Sequence, residues 1–525
     1  MLDKMSQQQR MILAVVLSVL FFVVYEAYFM PKPSRQIESN KSMSLKSESV
    51  SKSESVSKSE SVKSVAQKDV AKAPTLKADI LTVVKSKDFS IEIDSFGRIK
   101  RYTLLGEKFK KEDGSYTTII SDDMKVKPLE IRFSDGVLNK EAFSTSYTTD
   151  SSEVVLDGDS KSLILKQKLS TNSVTKKITF NKDGSFLVDV SLEKPAEFFI
   201  SNGEHPVAEN DKFVFNGVIV EKSDDTIEKV KSGSSEGTLK IMGAKYLASN
   251  DKYYTSVFYD FKKGLDVVVS TEDENPIPFV RVSTGSIVLS GYIGPKDFDR
   301  LKSINSGLTN VIEYGFFTFV AKPMFTFLKY LYSVIGNWGW TIVFATIIIK
   351  LVLFPLTFKG MVSMNKMKEL SPKVKEIQAK YKGEPQKMNA KMMELYKKHG
   401  ANPMGGCLPM IMQIPIFFAI YRVLLNSFEL KQSAWMLWYH DLSAMDPYYV
   451  LPLLMGATMF WQQHVTPQNF TDPMQAKIMK FLPVIFTFFF VSFPAGLTLY
   501  WFVNNLFSVG QQYYVNAIFA KAKKK

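Results

Sequence analysis

A single cysteine, Cys407, in 525 residues excludes any intrachain disulfide and any cysteine-based metal cluster. Histidine is nearly as scarce. His205, His399, His440 and His464 are too scattered to suggest a zinc site. There is no P-loop, no G-x-G-x-x-G, no H-E-x-x-H and no G-x-S-x-G. These absences argue against an enzyme, a cofactor and a bound metal. Internal repeats and paired intramembrane charges, which a small-molecule transporter would carry, are also missing.

What is present is strongly segregated along the chain. Residues 11–30, MILAVVLSVLFFVVYEAYFM, are almost uninterruptedly apolar. A helix of that length spans about 30 Å, one hydrocarbon core. Lys4 and Arg10 precede it against Asp3 alone, which places the N-terminus in the cytoplasm. A cleaved signal peptide is the alternative. The length of the run and its Phe-Met-Pro-Lys-Pro ending favour an uncleaved anchor over residues 1–30. Residues 31–80 contain two copies of SKSESV, at 51–56 and 57–62, and read as a disordered tether. Residues 81–305 alternate apolar and polar side chains, as in FSIEIDSFGRIKRYTLL (89–105) and KKITFNKDGSFLVDVSL (176–192). Asp183-Gly184 is a hairpin signal. The segment predicts a β-sandwich domain.

From residue 306 the chain turns membrane-like. Residues 306–337 predict an amphipathic helix lying in the interface. Five apolar spans follow, near 338–358, 404–428, 448–463, 479–493 and 495–511, six with the first. Residues 359–403 hold eleven lysines and four glutamates, a net +7, and Lys521, Lys523, Lys524 and Lys525 add +4 within the basic tail 516–525. Six crossings from a cytoplasmic N-terminus put both basic segments in the cytoplasm and the β-domain outside. These lysines suit contact with anionic lipid or ribosomal RNA. Within 359–403 a helical hairpin is expected, restarting at Ser371-Pro372 and turning at Lys382-Gly-Glu-Pro385. Its methionine-rich stripes either pack on each other or present an adaptable face. The 448–463 and 479–493 spans are short, about 22 Å of apolar helix each. That length would thin the bilayer locally.

Certain residues do not belong in hydrocarbon. Lys350, in TIVFATIIIKLVLFPLT, lies about 18 Å into its helix, near the midplane. A charge there costs about 2.5–3.5 kcal/mol on insertion scales. Its stem is too short to snorkel out, so a water-filled recess is expected around it. Thr346 lies one turn earlier on the same face. Trp501, Asn505, Ser508 and Gln512, with Asn504 and Gln511 beside them, form a polar face on the last helix, and Gln413 interrupts the third span. Such amides act as helix–helix glue when taken singly. Together with Lys350 they outline a polar groove. No mirror set of acidic residues occurs in the spans: Glu26 lies near the outer end of the first helix and Glu429 at the outer end of the third, so an ion pair for Lys350 is not evident.

The stretches PLTFKGMVSMNKM (355–367), NPMGGCLPMIMQIPIFFAIYRVL (402–424), WYHDLSAMDPYYVLPLLMGATMF (438–460) and TDPMQAKIMKFLPVIFTFFFVSFPAGLTLYW (471–501) resemble the YidC/Oxa/Alb membrane protein insertases, and the layout resembles the Gram-negative bacterial YidC type. The resemblance implies six transmembrane helices with a five-helix insertase core (338–515) and a periplasmic β-supersandwich (81–305). It implies an inner-membrane insertase and chaperone for nascent membrane proteins, acting alone or with the Sec translocon and served by the translating ribosome or its targeting machinery. The family's basic groove residue, usually arginine, matches Lys350. Its aromatic pair in the last helix matches Tyr500 and Trp501, where Tyr-Tyr is common. Lysine keeps the charge but loses the guanidinium fork. Combined with the polar face, this suggests a substrate's hydrophilic tail entering around Lys350, Thr346, Gln413, Tyr500, Trp501, Asn505 and Ser508. Its apolar segment would slide along the third and fifth spans, past Phe481, Phe486, Phe488, Phe489 and Phe490.

Overall fold

The computed structural model describes residues 78–524, apart from 112, 207, 209–213, 234, 403–407 and 468–472. The expected anchor, nearly all of the tether, and Cys407 lie outside the described residues. Strands run from Ile80 to Pro295 and form three sheets of five, nine and five strands. All strand pairs are antiparallel except Ile80–Lys85 with Glu153–Val155, which is parallel. Both hairpins expected from alternation are present. Phe89–Asp94 pairs with Ile99–Leu104, and Ser173–Asn181 pairs with Ser185–Leu192. Their turns use Gly97 (φ 64°) and Gly184 (φ 84°), left-handed conformations that glycine adopts without penalty.

Side chains from all three sheets meet in one apolar core that includes Val84, Ile93, Phe180, Phe198, Val220 and Val267. A buried ionic ladder crosses it. Asp94 accepts from Arg98 Nε at 2.8 Å, and Arg98 Nη1 donates to Glu130 at 2.9 Å. Glu130 also accepts from Arg132 Nε at 2.9 Å, and Arg132 Nη1 reaches Glu272 at 2.8 Å. Beside the ladder, the fully buried Lys176 donates to the carbonyls of Gly97 and Leu129, both at 2.8 Å. A Cβ on Gly97 would stand 3.3 Å from that Nζ, so the turn is shaped around the lysine.

Burial lowers the Lys176 pKa to about 7, against the raising effect of Asp94. Between that value and the ordinary lysine range the unfolded chain binds a proton that the folded chain does not. Lys176 therefore makes stability rise with pH above 7, by at most about 1.4 kcal/mol per pH unit. Unfolding of the full chain at pH 7 and pH 9 should show this increment, and Lys176→Met should flatten it. An equal pH dependence in both proteins would contradict the assignment.

The helices are α1 (Gly136–Ala142), α2 (Phe298–Ile304), α3 (Thr318–Ile335), α4 (Trp338–Lys380), α5 (Pro385–Lys398), α6 (Leu408–Asn426), α7 (Val450–Val465), α8 (Pro473–Phe490) and α9 (Ala495–Lys524). Among the described residues, α4 alone is long and apolar enough to cross a membrane by length and composition. The expected restart at Ser371-Pro372 does not occur. α4 continues through Pro372 to Lys380 as one helix. Leu370 and Val374 on α4 and Met392 on α5 are buried stripes of the hairpin. Their packing offsets the roughly 3 kcal/mol that an interior proline costs. The last apolar span likewise continues, to Lys524.

One aromatic knob joins the β-domain to the helices. Phe428, just past α6, packs among Phe109, Tyr253 and Tyr254 with centroids 6.0–6.3 Å away, and Lys108 lies 4.2 Å from its ring centre. Next to it, Glu429 accepts from the Phe298 N–H at 3.1 Å. Glu313 forms a second joint. Its backbone carbonyl accepts from Asn426 at 2.8 Å, and its carboxylate meets Lys229 at 2.5 Å. Although burial opposes it, the charges of Lys229 and Arg422 hold the Glu313 carboxyl below the usual range.

Candidate functional site

Two helices carry most of the polar groups that the sequence singled out. α4 starts at Asn337, whose side chain caps Trp340 N at 3.1 Å and donates to the carbonyls of Ala434 and Trp435. α9 starts under main-chain control. The N–H groups of Ala495 and Gly496 donate to Ala444 and Leu442 at 2.7 and 2.9 Å. These two fixed ends set the axial register in which Lys350 faces Ser508.

Lys350 is half-buried, and its Nζ donates to Ser508 Oγ at 2.9 Å. The Ser508 hydroxyl in turn donates to the Asn504 carbonyl one turn back, at 2.7 Å. Gln511 Nε2 reaches the Lys350 carbonyl at 3.3 Å. No Asp or Glu occurs in α6, α7, α8 or α9, or in α4 before Glu369. The ammonium thus rests on a neutral hydroxyl. Its strongest complement is an anion arriving from outside.

Gln413 on α6 ties the third span to the last. Its amide donates to the Tyr500 hydroxyl at 2.8 Å and to Asn504 Oδ1 at 3.3 Å. Tyr500 is buried, so this pair holds the wall of the site together. Trp501 is wedged between α6 and α8, with ring centroids 4.6 Å from Phe417 and 5.2 Å from Phe490. Asn505 is buried beside it, one turn along. Trp501 Nε1 and Asn505 Nδ2 have no acceptor among the described residues. Thr346 is buried and donates to its own helix at Ile342 O, 2.7 Å. It does not bond Lys350.

The five phenylalanines do not form one surface. Phe481, Phe488 and Phe489 are exposed, Phe486 is half-buried against Trp501, and Phe490 is buried among Phe493, Phe489 and Trp501. Two polar residues that sequence reasoning missed, Asn365 and Asn516, extend the site. Asn365 and Gln512 both donate to Asn516 Oδ1 at 2.9 Å, and Asn516 donates to the Val465 carbonyl at 3.3 Å. The signal for Asn516 was its place four residues past Gln512. Tyr500, Asn504, Ser508, Gln512 and Asn516 form a polar seam at four-residue spacing along α9.

The chain was also compared with known proteins. Residues 81–327 match the family model of the YidC periplasmic domain, and residues 330–523 match that of the 60Kd inner membrane protein. The membrane protein insertase YidC of Wolinella succinogenes is 49% identical over 100% of this chain and 97% of its own. That of Campylobacter jejuni is 49% identical over 100% of this chain and 98% of its own. A crystal structure of an active YidC insertase with the first transmembrane domain resolved is 20% identical, covering 83% of this chain and 95% of that one, with a TM-score of 0.37.

Proposed function

Because the chain belongs to the YidC family of inner-membrane protein insertases, we propose that it moves the hydrophilic end of a nascent membrane protein across the bilayer through the polar seam between α4, α6 and α9, without a motor and without catalysis. The observation that carries this reading is the Lys350 ammonium resting on Ser508, with no acidic side chain in α6 to α9 or in α4 before Glu369. An acidic or polar tail supplies the missing complement. The apolar segment that follows leaves into lipid beside α6 and α8, past Phe481, Phe488 and Phe489. Its burial supplies the driving force, and the membrane potential helps acidic tails.

The domain layout belongs to the same proposal: an anchor at 1–30, a tether at 31–80, a periplasmic β-supersandwich at 81–305, an interfacial helix within 306–337, a five-helix core at 338–515 and a basic tail at 516–525. With six crossings, both termini face the cytoplasm. The lysines of the 359–403 hairpin then meet anionic lipid and the translating ribosome or its targeting machinery. The chain acts alone or with the Sec translocon. Purified protein in lipid vesicles should insert a short acidic-tailed membrane protein without ATP. Crosslinkers placed in α6 and α8 should capture its ribosome-stalled nascent chain. Solute flux without insertion would refute the reading.

A further inference from the structure

The loop joining α6 to α7, residues 427–449, is anchored on its inner side by the buried Asp446, Phe428, Leu430 and Leu442, and on its outer side it presents several large apolar side chains. On the inner side the buried Asp446 accepts from the Tyr439 hydroxyl at 3.1 Å, the Trp438 indole at 3.3 Å, and the N–H groups of Tyr448 and Leu451 at 3.1 and 2.7 Å. The Leu442 and Ala444 carbonyls bind the first N–H groups of α9. The loop is therefore a pinned shape rather than a floppy connection. On the outer side Leu437, Met445, Tyr448 and Tyr449 are 67%, 58%, 64% and 51% exposed.

Backbone geometry sharpens the point. Leu437 and Tyr449 hold φ of 56° and 57°, the left-handed region that disfavours bulky side chains. Loops that need this conformation ordinarily use glycine or asparagine. Strain spent on presenting large apolar side chains outward signals a surface that is covered in use.

The position identifies the cover. Phe428 of the same loop sits in the β-domain core, so the loop lies at the periplasmic end of the bundle. Trp435 and Met436 form the rim of an apolar groove of about 710 Å³ between α4 and α9. The groove runs past Val343, Ile347 and Leu506 to Tyr514, and no charged side chain lines it. The apolar surface of the loop thus continues the flank of the bundle that faces hydrocarbon. Tyrosine and tryptophan at that level are the side chains of a membrane interface.

We propose that residues 427–449 form a membrane-seating wedge, with Leu437, Met445, Tyr448 and Tyr449 set into the headgroup–acyl boundary of the periplasmic leaflet. The partner is lipid. Through the Phe428 and Glu429 joint, the wedge fixes the depth at which the β-domain and the outer ends of α6 and α7 sit. This rests on membership of an inner-membrane family and is independent of the Lys350 groove. Its failure would leave the groove reading intact.

The test places nitroxide labels on the full chain in a Cys407→Ser background, reconstituted in lipid vesicles, at Leu437→Cys, Tyr449→Cys and, as an aqueous reference in the β-domain, the exposed Lys263→Cys. Collision rates with oxygen and with a water-soluble nickel chelate are compared. The oxygen-to-nickel ratio should be severalfold higher at 437 and 449 than at 263. Nickel access equal to that at 263 overturns the proposal, as does shielding from both reagents in pure lipid. Shielding from nickel that appears only in native membranes would assign the surface to a protein partner, and also overturns it. Leu437→Gly relieves the backbone strain and so keeps the loop folded. With the label at 449 it should lower the ratio, and an unchanged ratio rejects Leu437 as part of the wedge.

Discussion

Lys350→Ala should cut insertion of an acidic-tailed substrate by about 10- to 100-fold, while insertion of a substrate with a neutral tail changes little. The estimate follows from the charge-assisted contact that the substrate loses, about 1.5–3 kcal/mol, at tenfold per 1.4 kcal/mol. Among the described residues the hydrogen-bond partner of the Lys350 ammonium is the Ser508 hydroxyl, and α6 to α9 offer no carboxylate. No acidic side chain of α6 to α9, or of α4 before Glu369, competes with an incoming acid. Lys350→Arg keeps the charge and should retain most of the activity. Lys350→Gln keeps a donor but not the charge, and should behave like alanine for acidic tails. The measurement is the protease-protected fraction of paired test proteins in vesicles. Equal losses for acidic and neutral tails would show that Lys350 supports the bundle rather than receiving charge.

Arg98→Ala should be among the most destabilising single changes in the β-domain. Arg98 bridges the fully buried carboxylates of Asp94 and Glu130. Removing it leaves both without their shared cation, a loss of about 3–5 kcal/mol. For a domain of this size that corresponds to a melting temperature lower by about 6–20 °C. Removing Arg98 together with Glu130 should cost less than the sum of the two single changes, because an unpaired charge leaves with its partner. Thermal unfolding of the full chain in detergent, followed through its β-sheet circular dichroism, gives both values. A melting temperature unchanged in Arg98→Ala would mean that water reaches the ladder.

Much of this molecule was legible in one dimension. Alternation located the two hairpins at Gly97 and Gly184, because a half-buried strand writes its two faces in strict turn. The spacing of Asn505, Ser508 and Gln512 placed a polar stripe on α9, because helical periodicity is equally local. The same locality misled at Pro372. A proline normally marks a helix boundary, and here the helix runs through it with Leu370 and Val374 buried on either side. The five phenylalanines of α8 read as one slippery face, yet Phe490 turns inward onto Trp501.

Composition and periodicity alone thus determined that apolar helices follow a β-rich region, and that one lysine lies deep among residues that do not solvate it. Both are properties of a segment and its immediate neighbours. Only the tertiary structure decided that Lys350 meets Ser508, 158 residues away, that Gln413 bonds Tyr500, and that Phe428 enters the core of the β-domain. The ladder from Asp94 to Glu272 was equally invisible, since its members are ordinary charged residues until folding removes their water. Pairings of this kind depend on which surfaces come together once the chain has closed, and no local pattern records that.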